Sequence, residues 1–331
     1  DNATITNATG GSGRSGGHGL FGSVMKILSS TIGTAKGGEG KTSGGNGIYG
    51  VGKLTISDNA AITNATGGNA TSIDGTGGSG IFSDGKLSIE KATITNATGG
   101  NADNGTGGSG ILGKTMEILT STIKKATGGR STGKESYHTG GAGISSYGRL
   151  TIQGGNADSG NGGSGIRSGS LSISGGTISA TGGSGKSGGA GIDSSGTVSI
   201  SDGKIEQAAG GRATGEDGTG GSGIRSNGTL TIKGGEIQQT SGGDGIHSGS
   251  VVNIWGGTIT KATGGSGKSG GDGIHSGSVV KISGDTITKG TGGNATGENS
   301  TGGSGIRSDS SVKIWGGTIT KATGGSGKSG G

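Results

Sequence analysis

The chain has no cysteine and no proline, and aromatic residues make up 2% of its 331 positions. Without cysteine there is neither a disulfide scaffold nor a thiolate metal site, and the redox compartment stays open. Without proline or a strict Gly-X-Y period, the 92 glycines cannot build a collagen triple helix. So few bulky rings exclude the thick core of a large globular domain, and any apolar interior must be thin. A long apolar run is also missing, so nothing in this segment reads as a signal peptide or a helical membrane span. Charge of one sign does not cluster: the formal net charge is +6, but 27 basic residues are scattered among 21 acidic ones. With no basic run and no aromatic interleaving, a nucleic-acid partner is not expected.

What the chain does have is repetition. Two glycines, a short residue, a third glycine and an aliphatic recur eleven times, placing anchors at Leu20, Ile48, Ile81, Ile111, Ile144, Ile166, Ile192, Ile224, Ile246, Ile274 and Ile306. The spacings of 22–33 residues are those of solenoid repeats, whose units bury an apolar face only against their neighbours. After each anchor, short runs rich in Val, Ile and Thr alternate at period two between glycine turns, which reads as three short strands. Frequent glycine leaves no helical period intact. The expected fold is all-β, a parallel β-helix (β-solenoid) of about eleven coils of 22–33 residues with three short strands per coil.

In that fold the ten anchor isoleucines from Ile48 to Ile306 form one core ladder. A second column runs through Ile56, Ile152, Ile254 and Ile314, with Leu54 and Leu150 beside it, and a third through Ile62, Ile178 and Ile319. Gly-Gly pairs are expected at the corners, where glycine permits positive φ and close backbone approach. Polar inserts, such as those from Asn69, Arg130 and Asn294, should leave as loops after the third strand. Near Asn156 the usual isoleucine is replaced by small polar residues, so a local thinning is expected there. No shift of composition divides the chain, so residues 1–331 read as one continuous solenoid whose two ends fall within the repeat.

Three outward patterns carry candidate chemistry. Asp244 and His247 recur as Asp272 and His275 one unit later, so stacking brings two imidazoles about 4.8 Å apart beside two carboxylates, a candidate metal site. The same column carries Asp193 between Arg167 and Arg225, a charge-relieved ladder. Trp255 and Trp315 follow inward isoleucines, so both rings face out two units apart, where they can stack on sugar rings. Thr-Ile-Thr recurs, as at Thr258–Thr260 and Thr286–Thr288, in the manner of an ice-binding face, but Lys204, Glu206 and Glu236 interrupt it. The Ala-x4-Gly-Lys-Ser/Thr runs, such as Ala262–Ser269, mimic a phosphate loop and lack the following helix that would hold a phosphate. Acids are isolated, with no paired carboxylates placed for hydrolysis, so no enzymatic activity is expected.

The units GGAGIDSSGTVSISDGKIEQAAGG from Gly188 and GGDGIHSGSVVNIWGGTITKATGG from Gly242 resemble the repeats of secreted bacterial glycine-rich parallel β-helix proteins, an adhesin-like group that includes carbohydrate-binding domain-containing proteins. The resemblance implies an extracellular or cell-surface location, either a stalk role or polysaccharide binding, and calcium in some members. Taken together, the first expectation is a structural extracellular solenoid forming a fibre, stalk or adhesin shaft by head-to-tail self-association into a filament. The second is a carbohydrate-binding module of a cell-surface protein, and the third an ice-binding surface.

Overall fold

A computed structural model describes residues 2–131, 139–153, 156–160, 163–213, 219–298 and 300–328, with side chains omitted for 147–153 and 156–160. The expectations for Leu150, Ile152, the side chains near Asn156 and the insert residues 132–138 therefore lie outside the described residues. The fold is all-β, a parallel β-solenoid of about ten turns, with no helix among the described residues. The chain falls into two compact units, residues 1–168 and 169–331.

The coil after Ile48 shows the pattern of the first unit. Its strands are Ile48–Gly50, Leu54–Ser57 and Ala61–Thr66. Each pairs in parallel with its equivalent one coil on: Ile48 with Ile81, Leu54 and Ile56 with Leu87 and Ile89, and Ile62 with Ile94. The second unit repeats this, with Ile224 paired to Ile246, Ile232 to Ile254 and Ile237 to Ile259. The division into three strands is not uniform. First and second strands merge in Ile81–Glu90, and a fourth short strand appears at Thr240–Gly242 and Ala262–Gly264.

The isoleucine columns point inward as expected. In the first unit Ile48, Ile81, Ile111, Ile144 and Ile166 are completely buried, and in the second Ile192, Ile224, Ile246 and Ile274 are too. Ile306 pairs with Ile274 but stays partly exposed, and Ile314 is 52% exposed, because no described coil lies over them. Each fully buried isoleucine is worth roughly 1.5–3 kcal/mol, a gain realised only when a neighbouring coil supplies the cover.

Two further inward columns complete the interior. Three residues after the third isoleucine, or two at Ala180 where the register shifts, lies a small side chain: Ala35, Ala65, Ala97 and Ala126 in one unit, and Ala180, Ala208, Thr240 and Ala262 in the other, all within 1% of complete burial. From Ser194 to Ser276, two residues after each anchor lies a buried serine whose hydroxyl donates to a backbone carbonyl of the preceding coil. Ser226 does so to Gly196 (2.8 Å), Ser248 to Gly228 (2.7 Å) and Ser276 to Ser250 (2.7 Å). These serines meet the requirement that a buried hydroxyl find a partner.

Glycine has a more specific task than corner-making. Where an insert leaves a coil and returns, the two limbs touch backbone to backbone, and their glycines form one zigzag of hydrogen bonds. In the first unit the N–H of Gly68 donates to Gly45, Gly78 to Gly68, Gly100 to Gly78, Gly108 to Gly100 and Gly129 to Gly108, at 2.7–2.9 Å. The second unit repeats it from Gly189 to Gly325. A Cβ on Gly100 would lie 1.9 Å from the Gly68 oxygen, and one on Gly78 1.9 Å from the Gly45 oxygen. Neither residue has positive φ, so these glycines are required for space; the turn before the third strand does take positive φ, at Gly203, Gly235, Gly256 and Gly284. The coil from Ile224 to Ile246 has no insert, and there Gly243 alone fills the place that two limbs occupy elsewhere, donating to Gly221 and accepting from Gly265.

The neck makes a quantitative expectation. Gly100→Ala forces backbone apart and should lower stability by about 3 kcal/mol, whereas Gly11→Ala, with nothing within 4 Å of the new methyl, should stay within about 0.5 kcal/mol of the parent. Urea unfolding followed by far-UV circular dichroism measures both; equal effects would remove the neck from the account.

Candidate functional site

Where the residue two places before an anchor is Asn or Asp, its side chain meets a backbone N–H of the next coil. In the first unit Asn46 Oδ1 accepts the N–H of Ser79 at 2.7 Å. In the second, Asp244 Oδ1 accepts from Asp272 at 2.7 Å, and Asp272 Oδ1 accepts from Ser304 at 2.6 Å. The first duty of both aspartates is thus structural, and it fixes the direction of their second oxygens. The residue one place after the anchor alternates outward, and strand pairing sets His247 against His275 and His275 against Arg307.

These two columns meet. Asp244 Oδ2 lies 2.9 Å from His247 Nδ1 and 3.4 Å from His275 Nδ1, and the rings sit edge to face with centroids 4.9 Å apart. Asp272 Oδ2 is 3.9 Å from His275 Nδ1 and 3.6 Å from the Arg307 guanidinium. Asp309 Oδ1 closes the far side, 3.3 Å from both His275 Nε2 and Arg307. Stacking therefore gathers all four expected residues, Asp244, His247, Asp272 and His275. It adds Asp309, which spacing did not reveal because it sits on the turn after Arg307 and outside both columns.

The two aspartates titrate in opposite directions. Burial pushes Asp244 up, but the His247 hydrogen bond, the Asp272 N–H and the two nearby imidazoles outweigh it and hold the carboxyl below its ordinary value. For Asp272, burial dominates and the neighbouring Asp244 charge adds to it; the Ser304 N–H and Arg307 do not compensate, so the carboxyl stands above its ordinary value. Among the described residues, Asp244, His247 and His275 are the three whose potential ligand atoms lie within 4.8 Å of one another. Their nitrogen-rich donor set does not suit calcium, which takes six to eight oxygens.

Outward from the second strand of the same unit, Trp255 is 44% and Trp315 56% exposed. Trp255 pairs with Ser283, and the Trp315 N–H donates to Ile282, so one coil bearing a small residue separates the indoles. Their backbones are thus about 9.6 Å apart, twice the strand spacing. Asn253, Lys281 and Lys313 form the polar column beside them.

The first unit has a different aromatic array at the position after the anchor. Phe21, Tyr49 and Phe82 stand in consecutive coils, with Tyr49 and Phe82 stacked at 4.9 Å and His18 edge-on to Tyr49 at 4.7 Å. Tyr49 and Phe82 cover one another's faces, whereas Phe21 is tilted to Tyr49 and stays 62% exposed. Elsewhere, the Arg225 guanidinium grips Asp193 through two hydrogen bonds of 2.8 and 3.2 Å, as the charge-relieved ladder requires. In the second unit the threonine column runs over Thr258, Thr286 and Thr318, with Lys204 and Glu236 preceding it in register; in the first, the pairs Thr4 with Thr31 and Thr93 with Thr122 are separated by Ala61. No helix follows the Gly-Lys runs among the described residues.

Residues 132–267 match the model of a family described as carbohydrate-binding domain-containing protein. No curated protein and no solved structure matches the chain. The matched stretch includes Asp244, His247 and Trp255 and stops before Asp272, His275 and Trp315.

The opposed carboxyls separate by substitution. A depressed carboxyl stabilises above the ordinary carboxylate range and loses that contribution as pH falls through its folded value; a raised one carries a cost above its folded value that is relieved as pH falls. Asp244→Asn should therefore lower the melting temperature at neutral pH. Asp272→Asn, which keeps the acceptor for Ser304, should raise it, and the gain should vanish in acid. Thermal unfolding across the acid range checks both signs.

Proposed function

We propose that this chain is a carbohydrate-binding β-solenoid of an extracellular or cell-surface protein, and that it performs no enzymatic step. The observation that carries the reading is the pair of half-exposed indoles, Trp255 and Trp315, held on one face with Ser283 between them. Each presents an apolar ring with a polar edge, the surface on which pyranose rings stack. Because alternate coils carry them, neither face is spent on the other, and their spacing is close to the length of a disaccharide. Lys281 and Lys313 supply hydrogen-bonding groups for hydroxyls alongside. The family match over residues 132–267 supports the same reading.

A second reading, a fibre, stalk or adhesin shaft, is supported by the in-register parallel pairing of coil on coil, as of Ser311–Ile314 and Thr318–Thr323 on the coil before them, a mode of stacking that a second copy can continue. Concentration-dependent sedimentation of the purified chain distinguishes a self-associating shaft from a monomeric binding module.

The chain has two tryptophans, both in the proposed face, so indole fluorescence reports directly on it. Binding should shift the emission, and Trp255→Ala with Trp315→Ala should lower retention on insoluble polysaccharide by about tenfold or more, each single change giving part of the loss. Retention unchanged in the double variant would overturn the assignment of the face.

A further inference from the structure

We propose that Asp244, His247 and His275 form a binding site for a zinc-type transition-metal dication, with Asp309 as the outer carboxylate that orients His275. Tetrahedral zinc holds its ligands at about 2.0–2.1 Å, which places neighbouring donor atoms roughly 3.3 Å apart. Asp244 Oδ2 lies 2.9 and 3.4 Å from the two Nδ1 atoms, and each of the three residues offers a ligand atom within 4.8 Å of the other two. Small rotations of the imidazoles complete three corners of the tetrahedron, leaving the fourth to water.

The proton inventory also calls for a cation. A neutral imidazole carries one N–H. If His275 Nε2 donates to Asp309 at 3.3 Å, its Nδ1 presents a lone pair toward Asp244 Oδ2 at 3.4 Å and Asp272 Oδ2 at 3.9 Å. Electron-rich atoms then face one another across a half-buried gap. Protonating His275 relieves this, and so does a metal ion, which turns the repulsive set into a ligand set. The Asp309–His275 contact is the carboxylate–histidine arrangement that fixes the tautomer of a metal ligand. Asp244 is held in the same way, since its Oδ1 is fixed by the Asp272 N–H at 2.7 Å.

The other charged neighbours leave the site open to a dication. Arg307 is engaged by Asp272 and Asp309. Arg225, which pairs in register with His247, turns its guanidinium onto Asp193. Two imidazole nitrogens and one carboxylate oxygen select zinc, cobalt, nickel or copper over calcium or magnesium.

The test titrates the chelator-treated full-length chain with zinc chloride by calorimetry, and with cobalt chloride by visible absorption. One equivalent of zinc should bind, more weakly in acid as protons compete for the imidazoles. Cobalt should give the intense bands of four-coordinate geometry. His247→Ala and His275→Ala should each abolish or strongly weaken binding, and Asp309→Asn should weaken it by about 10-fold or more. An absence of zinc binding, the pale spectrum of hydrated cobalt, or displacement of zinc by excess calcium would overturn the proposal. So would full affinity in the His247→Ala, His275→Ala double variant. The cobalt spectrum is read on the unsubstituted chain and keeps the proposal refutable if a variant fails to fold.

Discussion

Every side-chain arrangement in this protein rests on backbone hydrogen bonds from one coil to the next. The N–H of Ile48 donates to Gly80, that of Ile81 to Gly110 and that of Ile111 to Gly143, and the same register returns in the second unit from Ile224 to Gly245 and from Ile246 to Gly273. Because parallel pairing keeps equivalent residues opposite one another, a repeated letter becomes a column. A one-residue slip would turn each isoleucine column outward and each serine hydroxyl away from its carbonyl. Burial and pairing thus enforce each other: the isoleucines choose the register, and the register lets a thin interior be continuous.

Coils of unequal length would break such a stack unless the extra residues left it without disturbing the ladder. The glycine neck performs that separation. Outgoing and returning limbs close on each other through Gly-to-Gly hydrogen bonds that run from coil to coil, so an insert of any length begins and ends at fixed points. A side chain at these points would meet a carbonyl oxygen at about 2 Å, and so the glycines persist despite the conformational entropy they cost on folding. The short coil ending at Gly243 keeps the same hydrogen bonds with one limb.

The fold was legible because its determinants are periodic. Anchors at Ile48, Ile81 and Ile111, and alternation such as Leu54-Thr55-Ile56, announce inward columns without any structure. The alanine and serine columns were harder to read, since Ala97 or Ser226 looks like ordinary strand or turn composition until burial shows it facing inward. Composition marks glycine as a corner residue, whereas the glycines of the neck serve close approach, a demand that depends on a second limb far along the chain. At the candidate site, the column spacing brought Asp244, His247, Asp272 and His275 together. Asp309 stayed hidden because its approach depends on how the turn after Arg307 folds back, which no period encodes.

A solenoid makes chemistry by the interval at which it repeats a residue. The same residue in consecutive coils stands one strand spacing from its copy, close enough to become its partner: Tyr49 stacks on Phe82, and His247 meets His275 over a shared Asp244. Placed in alternate coils, with Ser283 between, Trp255 and Trp315 are too far apart to cover each other, and both stay about half exposed. Duplication of one Asp-Gly-Ile-His segment onto the next coil is therefore enough to assemble a two-imidazole site, since neither copy alone supplies it. Inserting a coil without that segment between the two would dissolve the site while leaving every isoleucine column intact, which separates the chemistry of the surface from the stability of the interior.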